Sequence, residues 1–71
     1  MQTFNKNYVS PTKGMFKTEL VMVTKDQYVL YIWHEFYSVG QKTLKAIRQG
    51  TRQACEVYRA VFMNQHDALS V

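Results

Sequence analysis

Residues 15–37, MFKTELVMVTKDQYVLYIWHEFY, decide how this chain folds. Met15 to Thr24 is rich in large apolar and β-branched residues and alternates at its start, the pattern of a strand with two unlike faces. Phe16, Thr18, Leu20 and Met22 fall on one side, and Lys17, Glu19, Val21 and Val23 on the other. Thr24-Lys25-Asp26-Gln27 is short and polar and suits a hairpin turn of type I geometry. A second strand runs from Gln27 or Tyr28 to about Tyr37. It sets Tyr28, Leu30, Ile32, His34 and Phe36 against Val29, Tyr31, Trp33, Glu35 and Tyr37. The two runs form an antiparallel hairpin.

Outward from the hairpin the signals weaken. Residues 1–14 read as an arm, in which Phe4, Tyr8 and Val9 favour a short edge strand and Asn5, Lys6 and Asn7 oppose it. Ser10-Pro11-Thr12-Lys13-Gly14 breaks regular structure. Downstream, Ser38-Val39-Gly40 turns the chain, and the apolar spacing changes. Leu44, Ile47, Thr51, Ala54, Tyr58 and Val61 recur at alternating intervals of three and four, with Cys55 and Phe62 as flanks. That period predicts one helix from about Lys42 to Asn64, capped by Ser38 or Thr43. Gly50 weighs against it, because glycine inside a helix costs about 1 kcal/mol relative to alanine. The competing reading is a third strand at Thr43–Arg48, a turn at Gly50 and a shorter helix capped by Thr51. Residues 65–71 read as a frayed tail. The expected fold is α+β: an antiparallel β-hairpin, or three strands if the arm joins, packed on one long C-terminal helix. Its organisation is an arm at 1–14, one domain at 15–64 and a flexible tail at 65–71.

With 71 residues the chain has material for one domain. Such a domain buries only about 60% of the surface its unfolded chain exposes, so an external source of stability is expected. Cys55 is the sole cysteine, which excludes an intrachain disulfide. Cys55, His34 and His66 have no metal-ligand spacing, so neither a structural metal nor a cofactor is expected. Oligomerisation remains, and a homodimer is the expected form. A lone cysteine and a polar N-terminus without a secretory signal point to the cytoplasm, and no apolar run is long enough to span a bilayer.

Catalysis is discounted first. The chain contains no GxGxxG, P-loop, HExxH or GxSxG, and a thiol with two scattered histidines makes no nucleophile–base pair. Cys55 reads as a small buried hydrophobe and His34 as a structural histidine. Two surfaces are left as binding candidates. The first is basic. The formal charge of +4 is accounted for by residues 41–63, where Lys42, Lys45, Arg48, Arg52 and Arg59 oppose only Glu56. On a continuous helix Lys45, Arg48, Arg52 and Arg59 cluster on one flank, beside Gln49 and Gln53, which suits phosphate and base-edge contacts. The bland reading is a solvated face that keeps the domain soluble.

The second candidate is the other face of the hairpin. A helix covers one face only, and the apolar face of Phe16, Leu20, Leu30 and Ile32 is the one expected to meet it. The opposite face then exposes Val21, Val29, Tyr31, Trp33 and Tyr37, where an antiparallel sheet normally shows polar residues. A patch of this kind marks a binding site. Four coverings compete: a second copy, a foreign protein, single-stranded nucleic acid stacked on the aromatics, or the N-terminal arm folded across the patch. The sequence therefore predicts a small non-enzymatic binding protein, a homodimer docking through Val21, Val29, Tyr31, Trp33 and Tyr37 on a larger protein. Nucleic-acid binding through Lys45, Arg48, Arg52 and Arg59 is the alternative.

Overall fold

A computed structural model describes residues 2–35 and 42–71. Strands β1 (Gln2–Ser10), β2 (Gly14–Thr24), β3 (Gln27–Glu35) and β4 (Lys42–Gly50) are followed by helix α1 (Arg52–Gln65) and a short strand β5 (Leu69–Ser70). They form one antiparallel sheet in the order β4-β3-β2-β1-β5, and α1 lies on one face of it.

The central hairpin forms as its alternation dictates. Leu20 stands opposite Leu30, Thr18 opposite Ile32 and Phe16 opposite His34, all on the helix side. Phe16, Leu20, Leu30 and Ile32 are almost wholly buried there, joined by Tyr8 and Tyr28 and, beyond the sheet, by Cys55, Met63 and Ala68. The residues of the break, Pro11 to Lys13, connect β1 to β2, and the Lys13 amide donates to Ser10 Oγ at 3.2 Å. The arm residues Gln2 to Ser10 pair along β2 with Phe4 opposite Leu20 and Tyr8 opposite Phe16, so both rings join the core side. Leu69 and Ser70 pair with Val9 and Tyr8 on the outer edge of β1.

The expectation of one long helix from Lys42 to Asn64 is corrected. Lys42–Gly50 is a strand, and the helix is confined to the 14 residues Arg52–Gln65. Gly50 adopts φ +151°, a conformation side-chain-bearing residues rarely take, and it ends β4. Thr51 is extended and caps the helix, its Oγ1 accepting from the Ala54 amide at 3.2 Å. This is the strand–turn–helix reading that competed with the long helix. The false helical period has a physical cause in β4. Ala46 stands opposite Ile32 but Leu44 stands opposite Trp33, so Lys45 is an extra residue, a β-bulge. The insertion places Leu44 and Ile47, three apart in sequence, on the same face of a strand, where normal alternation would separate them.

Within α1 the buried stripe is also shifted. Cys55 and Met63 are buried with Phe62 and Tyr58 packed beside them, while Val61, expected in the stripe, is 51% exposed.

The C-terminal end of α1 closes with bonds from the Asp67 amide to the Asn64 carbonyl and from the Ala68 amide to the Met63 carbonyl. With Asp67 left-handed at φ 53°, this is a Schellman arrangement in which aspartate takes the place usually given to glycine.

Candidate binding face

The sheet has one face under α1 and one face that no described element covers. On the open face, β2 supplies Lys17, Glu19 and Val21, and β3 supplies Val29, Tyr31, Trp33 and Glu35. Each is half-buried by its neighbours. Val21 stands directly opposite Val29, Glu19 opposite Tyr31 and Lys17 opposite Trp33. The structure thus brings Val21, Val29, Tyr31 and Trp33 together; Tyr37, the fifth residue of the predicted patch, lies outside the described residues, as do Phe36 and the turn at 38–40.

Two residues that sequence reasoning assigned to a helix extend the patch. Ile47 pairs with Tyr31 and Leu44 with Trp33, and they are 52% and 39% exposed. They were missed because the bulge at Lys45 disguises their alternation. The arm does not cover the patch, since its residues are spent as β1, which adds Thr3, Asn5, Asn7 and Val9 to the same surface.

Charges frame the aromatics. Lys17 Nζ lies 3.3 Å from Glu35 Oε2, and Lys42 Nζ sits 4.8 Å from the centre of the Trp33 ring. Trp33 Nε1 is inaccessible to water and has no acceptor among the described residues, an orphaned donor of the kind that costs roughly 1–3 kcal/mol. Lys17, Glu19, Glu35 and Lys42 leave this face with two charges of each sign.

The basic row does not survive as one surface. Lys45 and Arg48 belong to β4, with Arg48 set 5.5 Å from the Tyr58 ring on that flank of α1. Arg52 lies over Phe4 of β1 at 4.7 Å and donates to Glu56 at 2.8 Å, which holds its guanidinium above its ordinary pKa. Arg59, two turns on from Arg52, shares that β1-side flank. The four cations are therefore split across the helix, because residues 42–50 rise at the strand spacing and not the helical one.

Cys55 is fully buried, with Sγ 3.9 Å from the Tyr28 carbonyl and 3.8 Å from that of Arg48. Desolvation pushes its thiol pKa up, so it is a packing residue and a poor nucleophile. His34 is buried on the helix side with its Nε2–H donating to the Lys13 carbonyl. His66 is the C-cap of α1, its Nδ1–H donating to the Phe62 carbonyl at 2.8 Å. No group of three or more metal-ligating side chains occurs among the described residues, and no helix there is long and apolar enough to cross a membrane.

Comparison with family models, with curated proteins and with solved structures finds no match for this chain.

Proposed function

We propose that this chain is a small non-enzymatic binding protein whose open sheet face is its docking surface, and that a second copy is its first occupant. The observation that carries the reading is the uncovered cluster of Val21, Val29, Tyr31, Trp33, Leu44 and Ile47, on a face that an antiparallel sheet normally gives to polar residues. Face-to-face packing is favoured over edge pairing by the state of the edges. β4 is bulged and carries Lys42, Lys45 and Arg48 with no acid, a combination that discourages strand addition. The outer edge of β1 is partly occupied by β5. The balance of charge supports a second copy, because two neutral faces related by a two-fold axis set Lys17 and Lys42 of one against Glu19 and Glu35 of the other. Burying this face also adds apolar surface to a domain too small to bury much on its own. The dimer leaves its helices and their cations outermost, available to a larger partner.

Sedimentation equilibrium over a concentration series tests the reading. The unaltered chain should sediment as a dimer and Trp33→Ala as a folded monomer, with Lys25→Ala unchanged. A chain that stays monomeric at high concentration, or a Trp33→Ala variant that still dimerises, overturns it. A monomer that forms a salt-sensitive complex with a single-stranded oligonucleotide would transfer the function to nucleic-acid binding.

A further inference from the structure

The bulge in β4 has an effect on the helix side of the sheet as well. By simple alternation from Ala46, Lys45 would point to the open face. The inserted residue instead places Lys45 among the residues that line a cleft beside the C-terminal end of α1. Bulges that re-aim a side chain in this way are common next to functional sites.

The cleft has a volume of about 280 Å³ and is lined by Thr12, Lys13, Phe16, His34, Lys45 and His66. Among the described residues its composition is one-sided: two lysines, two imidazoles, a hydroxyl and an aromatic ring, with no carboxylate. Neither Lys13 nor Lys45 forms an ion pair among the described residues; the two pairs found there are Lys17–Glu35 and Arg52–Glu56. The walls are held from three directions. The His34 Nε2–H donates to the Lys13 carbonyl and so ties the β1–β2 loop, with Thr12 and Lys13, to the sheet. The bond from His66 Nδ1 to the Phe62 carbonyl fixes that ring and leaves Nε2 for another partner. Phe16 forms the floor, with its ring centre 4.7 Å from that of His34 and 5.4 Å from that of His66.

We infer that this cleft is a binding site for a small anion, a phosphate or carboxylate carried on a flat apolar group. Lys13, Lys45 and the Thr12 hydroxyl supply donors to the anionic oxygens, the charge-assisted contacts that such groups favour. The half-buried His66 imidazole, backed by the buried Phe16 ring, offers a surface for the flat part. The cleft is at the small end of the range for ligand sites, which suits one ring and one anionic group. It lies on the face opposite the proposed dimer interface, so it stands whether or not the chain dimerises.

The test is an NMR titration of the histidine ring resonances with inorganic phosphate and with phenyl phosphate. Both should shift the His66 ring saturably, and phenyl phosphate should bind roughly tenfold more tightly because one face of its ring is buried. Lys45→Ala should weaken phenyl phosphate by about five- to tenfold, a charge-assisted bond being lost. Lys25→Ala, remote at the hairpin tip, should leave it unchanged, and Trp33→Ala should bind as the parent chain does. An unsaturable shift, or equal losses in Lys45→Ala and Lys25→Ala, would overturn the inference, since either means diffuse attraction to a basic protein.

Discussion

Three residues show how single side chains hold this fold. Cys55 occupies a fully buried site between the Tyr28 and Arg48 carbonyls, where its thiolate would be desolvated. It should react with a thiol reagent only after urea unfolding, which a colorimetric time course reads directly. Its raised pKa also sets a sign for stability. Above the ordinary thiol pKa of about 8.5 the unfolded chain releases a proton that the folded chain keeps, so stability falls as pH rises through that range. Denaturant midpoints measured from pH 7 to 10 should show this decline in the parent chain and a smaller one in Cys55→Ala. Asp67 is the second case. It pays for a left-handed backbone without glycine's freedom and sets a negative charge at a helix C-terminus. Asp67→Gly should therefore stabilise the fold by about 1 kcal/mol, a rise in Tm of some 4–8 °C for a domain this size. Trp33 is the third. Its buried Nε1, without an acceptor among the described residues, makes the ring costlier to the lone chain than its apolar area suggests.

At the level of elements, the junction between β4 and α1 is where sequence and structure part. Gly50 and Thr51 act together: glycine takes φ +151° to leave the strand, and threonine caps the helix that starts at Arg52. A methyl at Gly50 would meet only the Ala54 Cβ at 3.7 Å, so Gly50→Ala should cost about 1 kcal/mol through backbone strain and not through collision. Thr51→Ala should cost about 1 kcal/mol through the lost cap. Thermal unfolding followed by circular dichroism measures both, and the pair should be close to additive only if strain and capping are independent. The hairpin was legible because β2 and β3 alternate over most of their length and their apolar residues share a face. Its open face was legible for the same reason, down to Val21, Val29, Tyr31 and Trp33. The strand β4 was legible only as the competing reading at Thr43–Arg48, since one extra residue at Lys45 turned a period of two into spacings that imitate a helix. The basic row followed that misreading, because a rotation of 100° per residue was applied to residues that lie in a strand. The His34–His66 cleft had no sequence signal at all: its residues come from the first loop, two central strands, the bulge and the helix end, and only the topology gathers them.

For the whole molecule, the one helix among the described residues covers one face of a five-stranded sheet and leaves the other, with its cluster of Val21, Val29, Tyr31, Trp33, Leu44 and Ile47 among polar and charged neighbours, open. Two copies packed through that side would make a four-layer arrangement, helix–sheet–sheet–helix, with the sheets about 10 Å apart. Stability then depends on protein concentration, because dimerisation draws on the folded monomer alone. The melting temperature should rise across a hundredfold range of concentration for the parent chain and stay flat for Trp33→Ala, as differential scanning fluorimetry would report. Lys45, Arg48, Arg52 and Arg59 lie on the helix side and remain outside this interface, turned toward acidic ligands or partners, while Lys17 and Lys42 fall within it.

The pairing of Leu69 and Ser70 with Val9 and Tyr8 joins the start of the described chain to its finish. The Val71 amide adds a bond to the Asn7 carbonyl at 3.1 Å. During synthesis on a ribosome, β1 emerges well before Leu69 to Val71, the residues that border its outer edge. Until those residues emerge the outer backbone of Asn7 to Val9 is bare, offering a template to neighbouring nascent chains on the same polysome. A premature stop or a proteolytic nick after Ala68 would make that transient exposure permanent, while leaving the helix and all four long strands intact.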